Sequence, residues 1–113
     1  MTTQRFTFKQ FQKFDIRVGT IIKAQPSPDA RVPSFQLEID FGELGRKRTS
    51  ARITDHYTPG ELVGRQVLGV VNFPPKRIGK FVSEVLVLGG YESDNSVRLL
   101  IPEQPITNGA KLK

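Results

Sequence analysis

At 113 residues the chain has the length of one domain, and a 37% hydrophobic content supports one core with little surplus, so pairing with a second copy is expected. The absence of cysteine excludes disulfides and thiolate zinc sites and fits a reducing compartment. A net charge of +6 favours polyanions or acidic partners without choosing between RNA, an acidic protein and an anionic membrane surface.

In chain order, the first signal is a helix start. Thr7 is a candidate N-cap with Gln10 three residues on, a capping box, and Phe6 and Phe11 occupy the hydrophobic staple positions. The helix predicted there is about two turns long and needs a surface to dock on. Residues 16–24 read as a strand in which adjacent Ile21 and Ile22 break strict alternation and Gly19 marks a bend or bulge. Residues 26–33 are a loop punctuated by three prolines. Residues 35–41 are the cleanest strand: Phe35, Leu37, Ile39 and Phe41 point one way, and Gln36, Glu38 and Asp40 the other. A turn at 42–45 leads to an antiparallel partner at 46–53.

A second capping box, Thr58 to Glu61 with Pro59 at the first helical position, predicts a one-turn helix stopped by Gly64. Residues 66–73 and 84–89 are apolar strands, and 97–101 a last one. Asn108 and Gly109 form a turn signal in the tail. Strands dominate, and no long helix alternates with them. The expected fold is all-β: a five-stranded Greek-key OB-fold barrel with a short N-terminal helix and a one-turn helix between strands three and four. The whole chain, 1–113, reads as a single domain.

Catalytic signals are weak. His56 is the sole histidine, no motif places a serine or an acid beside it, and it reads as a surface residue before a helix cap. Neither H-E-x-x-H nor G-x-S-x-G occurs. Gly79 and Lys80 resemble the end of a phosphate-binding loop, but Phe81 follows. Asp15, Asp29, Asp40 and Asp55 are scattered and form no metal loop. No catalytic residue, metal or cofactor is expected, and the chain reads as a binding module rather than an enzyme. No apolar run nears the roughly 18 residues that span a bilayer. MTTQRFTFKQ lacks the apolar core of a signal peptide, so a soluble, cytoplasmic protein is expected.

The basic residues cluster. Arg46, Lys47, Arg48 and Arg52 fall in one strand and its approach, and Lys76, Arg77 and Lys80 in the loop after Pro74 and Pro75, between Phe73 and Phe81. Cations around aromatic rings neutralise phosphates and offer stacking faces, although Phe73, at a strand end, is also a core candidate. Two prolines stiffen that loop, so less entropy is lost when a ligand is held. Arg31, Val32, Pro33 and Phe35 place apolar groups beside a strand, suited either to a groove for an extended peptide or to packing.

FDIRVGTIIKA, PDARVPSFQLEIDFG, RTSARITDHYTPGELVGRQVLGVVNFPPKRIGKFVSEVLVLGG and LLIPEQPITNGAKL, read in order, resemble the tRNA-binding-domain family of OB folds. ARVPSF, NFPPKRI and SEVLVLGG resemble its CsaA subgroup, which are export-related chaperones. The resemblance implies a homodimer in the bacterial cytoplasm that binds unfolded preproteins or peptides and a SecA-type translocation ATPase. Its alternative implication is structure-selective tRNA binding.

The family's S-E-G-M-x-L stands here as Ser83 to Leu88, with Val85 for the glycine and Leu86 for the methionine. Its A-D-K-L is replaced by Ala30, Arg31, Val32 and Pro33. Both changes are expected to add apolar bulk near the binding face and to suit a peptide groove. The implied peptide-binding residues are Arg31, Phe35, Arg48, Phe73, Pro74, Pro75, Lys76, Arg77 and Leu86. Ser50, Asn72, Lys76 and Ser83 match the family's tRNA-binding positions.

Overall fold

Alternating apolar and polar residues build the centre of the molecule, seen here in a computed structural model that describes residues 3–28 and 30–113. Asp29, one of the scattered aspartates, and the first two residues lie outside the described residues. The strands are β1 (Ile16–Pro26), β2 (Phe35–Asp40), β3 (Arg46–Ala51), β4 (Gln66–Val70), β5 (Lys76–Ile78), β6 (Phe81–Ser83), β7 (Leu86–Val87), β8 (Gly89–Tyr91) and β9 (Val97–Leu99). β2 turns Phe35, Leu37 and Ile39 inward, and Phe41, one residue past its end, is fully buried beside them.

The main sheet is antiparallel in the order β3-β2-β1-β4-β7. It curls until β3 meets β6 and β7, giving a nearly closed five-stranded barrel of the OB type, as expected. The bulge falls elsewhere than expected. Register shifts between Ile21 and Lys23, so Ile22 is the extra residue. Gly19 instead leaves room for the core: a Cβ there would lie 2.6 Å from Ile39 Cγ2.

Two short helices plug and flank the barrel. α1 (Phe8–Phe11) is one turn, shorter than expected. Its cap forms as the sequence indicates: Gln10 N–H donates to Thr7 Oγ1 at 3.1 Å, and Thr7 N–H to Gln10 Oε1 at 2.8 Å. Phe11 stacks on Phe8 at 6.5 Å, and Phe6 stays largely exposed rather than stapled to it. α2 (Pro59–Leu62) lies between β3 and β4 and drives fully buried Leu62 into the core.

The predicted strand 66–73 ends at Val70; beyond it Val71 N–H donates to Asp15 O at 2.9 Å, and Pro74 and Pro75 have no N–H to resume a ladder. The predicted loop at 76–80 is a two-residue hairpin of β5 on β6, turned at Gly79 with φ +62. The predicted strand 84–89 divides into β7 and β8, and β8 forms a separate hairpin with β9. β2 pairs with β1 only from Thr20 onward, which leaves the start of β1 an open edge. The tail covers it: Gly109 N–H donates to Val18 O, Val18 N–H to Ala110 O and Leu112 N–H to Ile16 O. Gly109, at φ +93, turns the tail against the Phe41 carbonyl, where a Cβ would collide.

Candidate functional site

Strand register arranges the outer face of β1, β2 and β3 in cross-strand rows. Gln25, Gln36 and Ser50 form one, with Gln25 donating to Gln36 at 3.0 Å. Lys23, Glu38 and Arg48 form the next, with Lys23 Nζ 3.7 Å from Glu38. Asp40 lies opposite Arg46. Arg46 and Arg48 thus face carboxylates directly across the ladder, whereas Lys47 lies opposite Ile39, so this sheet face is mixed in charge.

The β5–β6 hairpin differs. Lys76, Arg77 and Lys80 are exposed and make no ion pair among the described residues. Arg48 spans the two regions, its guanidinium 5.0 Å from the centroid of the Phe81 ring.

A seam of polar contacts joins β3 to the hairpin. Glu84 N–H donates to Arg48 O at 2.8 Å, and Arg48 N–H donates to Glu84 Oε2 at 2.8 Å. Ser50 N–H donates to Ser83 Oγ at 3.0 Å. Thr49 Oγ1 donates to Val85 O at 2.6 Å and lies 3.2 Å from Ser83 Oγ. Sequence reading missed Thr49 and Glu84, because side chains that replace ladder bonds leave no periodic trace.

The predicted binding residues divide by exposure. Arg31, Arg48, Pro74, Pro75, Lys76 and Arg77 are exposed, as are Phe73 (40%) and Leu86 (49%). Phe35, expected as a binding residue, is instead a core residue, 7% exposed and packed in the main apolar cluster. Ser83 is buried and Ser50 half-buried, both in the seam. The Asn72 amide is spent on the fold: its Oδ1 accepts from Asp15 N–H at 2.9 Å and its Nδ2 donates to Lys13 O at 2.8 Å. Phe73 then meets Phe14 edge-on at 6.0 Å, which joins the N-terminal aromatics to the site.

The apolar bulk of the Ser83–Leu88 stretch also divides. Val85 is in the core, over Gly69, where a Cβ would come within 2.6 Å of Val85 Cγ1. Of the two substituted positions, Leu86 is the one that adds apolar area outside. Clefts of about 290 and 270 Å³ lie elsewhere, one lined by Arg17, Phe41, Leu44 and Asn108, the other by Arg65, Gln66, Ile101 and Pro105.

His56 does have a serine and an acid beside it. Ser96 Oγ donates to Asp94 Oδ1 at 2.5 Å, so His56 Nε2–H donates to Ser96 Oγ at 2.6 Å. The serine proton points at the carboxylate and away from the imidazole, the reverse of what a nucleophile needs. The Ser96 hydroxyl, then its amide, hold Asp94 below the ordinary aspartate value. With Tyr57 Oη accepting from Leu99 N–H at 3.0 Å, this trio ties the β8–β9 hairpin to the barrel. Among the described residues no three His, Cys, Asp or Glu side chains cluster as metal ligands would, and no helix is long and apolar enough to cross a membrane.

The model of the putative tRNA-binding domain matches residues 16–111. The chain belongs to the tRNA-binding-domain family. Within it, the chain is of the CsaA type. It superposes on the chaperone CsaA from Bacillus anthracis str. Ames with a TM-score of 0.92 at 49% identity, covering 97% of this chain and 100% of that one. For the CsaA chaperone protein from Picrophilus torridus the values are 0.90, 43%, 96% and 100%.

Methionine–tRNA ligase from Porphyromonas gingivalis (strain ATCC BAA-308 / W83) is 37% identical over 106 residues, 94% of this chain and 15% of the ligase. The chain thus spans about 15% of the length of the ligases it matches.

Proposed function

We propose that this protein is a non-enzymatic, export-related chaperone that holds unfolded precursor chains in the bacterial cytoplasm before translocation. The observation that carries the reading is that Leu86, Phe73, Pro74 and Pro75 are exposed within the segment 73–86, which also carries the exposed cations Lys76 and Arg77, without an ion pair among the described residues. Its likeness to CsaA chaperones over nearly the whole length of both chains supports it.

Apolar side chains of an extended segment would contact Leu86, Phe73 and the prolines. Arg31, Arg48, Lys76 and Arg77 would attract the segment's carbonyls and acidic groups. No nucleotide or cofactor is needed, and the affinity is modest and reversible, as a holding chaperone requires. A SecA-type translocation ATPase is the partner that the family resemblance suggests. Exposed Phe6, Phe8 and Phe11, with the C-terminal segment, supply the contact of a homodimer. The direct test is fluorescence anisotropy of a labelled unfolded precursor peptide. Leu86→Asp should weaken binding by about tenfold, or 1.4 kcal/mol, and unchanged binding would remove Leu86 from the site.

The second reading, structure-selective tRNA binding, rests on the family and on the same exposed cations. Glu38 and Asp40, opposite Arg48 and Arg46, work against a phosphate track on the sheet face.

A further inference from the structure

We propose that the seam between β3 and the β5–β6 hairpin opens to admit an extended polypeptide, whose backbone takes over from Ser83 and Glu84 as partner of the Ser50 and Arg48 backbone. The inference rests on the chaperone reading and locates the binding event in one crevice.

β3 is held to β2 by a ladder through six residue pairs. On its other edge the Arg48 and Ser50 N–H groups are satisfied by side chains, the Glu84 carboxylate and the Ser83 hydroxyl. Among the described residues only Glu84 N–H to Arg48 O is a backbone bond across this edge. From residue 73 to 83 the hairpin makes no backbone–backbone bond to another element among the described residues. Side-chain acceptors can swing away without breaking a ladder, and a bond exchanged for an equivalent one leaves no buried group unsatisfied. Segments so attached open at the low end of a protein's free-energy range.

The packing beneath is equally separable. Phe81 is buried, yet it lies outside the main apolar cluster, which includes Phe35, Leu37, Phe41 and Val85. Lifting the hairpin would uncover Phe81 for an apolar side chain of the incoming segment and release Arg48 from its ring. It would leave the barrel core in place.

The edge donors specify the ligand. Arg48 and Ser50 are alternate residues of one strand, so their N–H groups repeat at about 6.6–6.8 Å, the repeat of carbonyls on one edge of an extended polypeptide. Such a chain would add to β3 as a further strand. The exposed cations Lys76 and Arg77 on the displaced hairpin favour acidic residues at its flanks.

A reversible lock tests this. Thr49 Oγ1 and Ser83 Oγ lie 3.2 Å apart, and the native chain has no cysteine, so a Thr49→Cys, Ser83→Cys double variant carries one disulfide across the seam. Binding of a labelled unfolded precursor peptide is measured by anisotropy on the oxidised and reduced forms. The expected result is binding weakened by about tenfold or more in the oxidised form relative to the reduced form of the same variant, restored by dithiothreitol. Equal binding by both forms overturns the proposal and leaves the chaperone reading standing, whereas failure of the wild type to bind peptide sinks the reading itself.

Amide exchange on the wild type is independent of the disulfide. Saturating peptide should slow exchange at Arg48 and Ser50, and unchanged exchange there with peptide bound also overturns the proposal.

Discussion

Glu84 grips Arg48 from both sides, its carboxylate accepting the Arg48 N–H and its own N–H donating to the Arg48 carbonyl, each at 2.8 Å. One residue thereby replaces two rungs of a ladder and closes the barrel. Glu84→Ala strands the Arg48 N–H in a half-closed seam and should cost about 1–3 kcal/mol in urea unfolding. Glu84→Gln keeps an acceptor oxygen and should recover most of that loss. Equal penalties for both variants would show that the carboxylate's charge, not its acceptor, holds the seam.

Asn72 fastens the N-terminal segment by bonding both Asp15 N–H and Lys13 O. Asn72→Ala should accelerate exchange of the Asp15 amide while leaving core amides of β2 protected. The global stability should fall by only about 1 kcal/mol, because these bonds are exposed to solvent. Loss of protection across β2 would mean that the segment is integral to the barrel.

Gly69 and Val85 are a matched pair. A Cβ on Gly69 would press on Val85 Cγ1 and come within 3.2 Å of Phe41. Gly69→Ala should destabilise the protein by about 1–3 kcal/mol through overpacking. Combined with Val85→Ala the penalties should be less than additive, with a coupling of at least about 0.5 kcal/mol in a denaturant double-mutant cycle.

Asp94 makes stability acid-sensitive. Its folded pKa lies below the ordinary value of 3.8, through bonds from the Ser96 hydroxyl and amide. A depressed value means that the stabilisation is complete above the unfolded value and is lost as pH falls through the folded one. The stability gap between the wild type and Asp94→Asn should therefore be constant from neutral pH down to about the unfolded value, then narrow in stronger acid. Urea unfolding over a pH series checks this.

What the sequence revealed was local or periodic. Alternation from Phe35 to Phe41 identified the core strand, Thr7 with Gln10 the first helix cap, and adjacent Ile21 and Ile22 the break that proves to be a bulge. Other features depend on residues far apart in the chain. Phe35 reads equally well as groove wall or core until β2 is enclosed. Ser83 and Asn72 look like free polar groups until their partners Ser50 and Asp15 are brought to them. The His56, Ser96 and Asp94 trio spans 40 residues between histidine and serine and has no motif. Val85 and Leu86 are adjacent and both apolar, and only the pleat sends one to the core and the other to solvent.

The most direct measurement is a competition at near-physiological salt: anisotropy of a labelled unfolded precursor peptide on the wild-type protein, followed by excess folded tRNA. The predicted result is that the peptide binds and tRNA does not displace it. Tight tRNA binding with a steep salt dependence, and no peptide binding, would contradict the chaperone function and assign the surface to RNA.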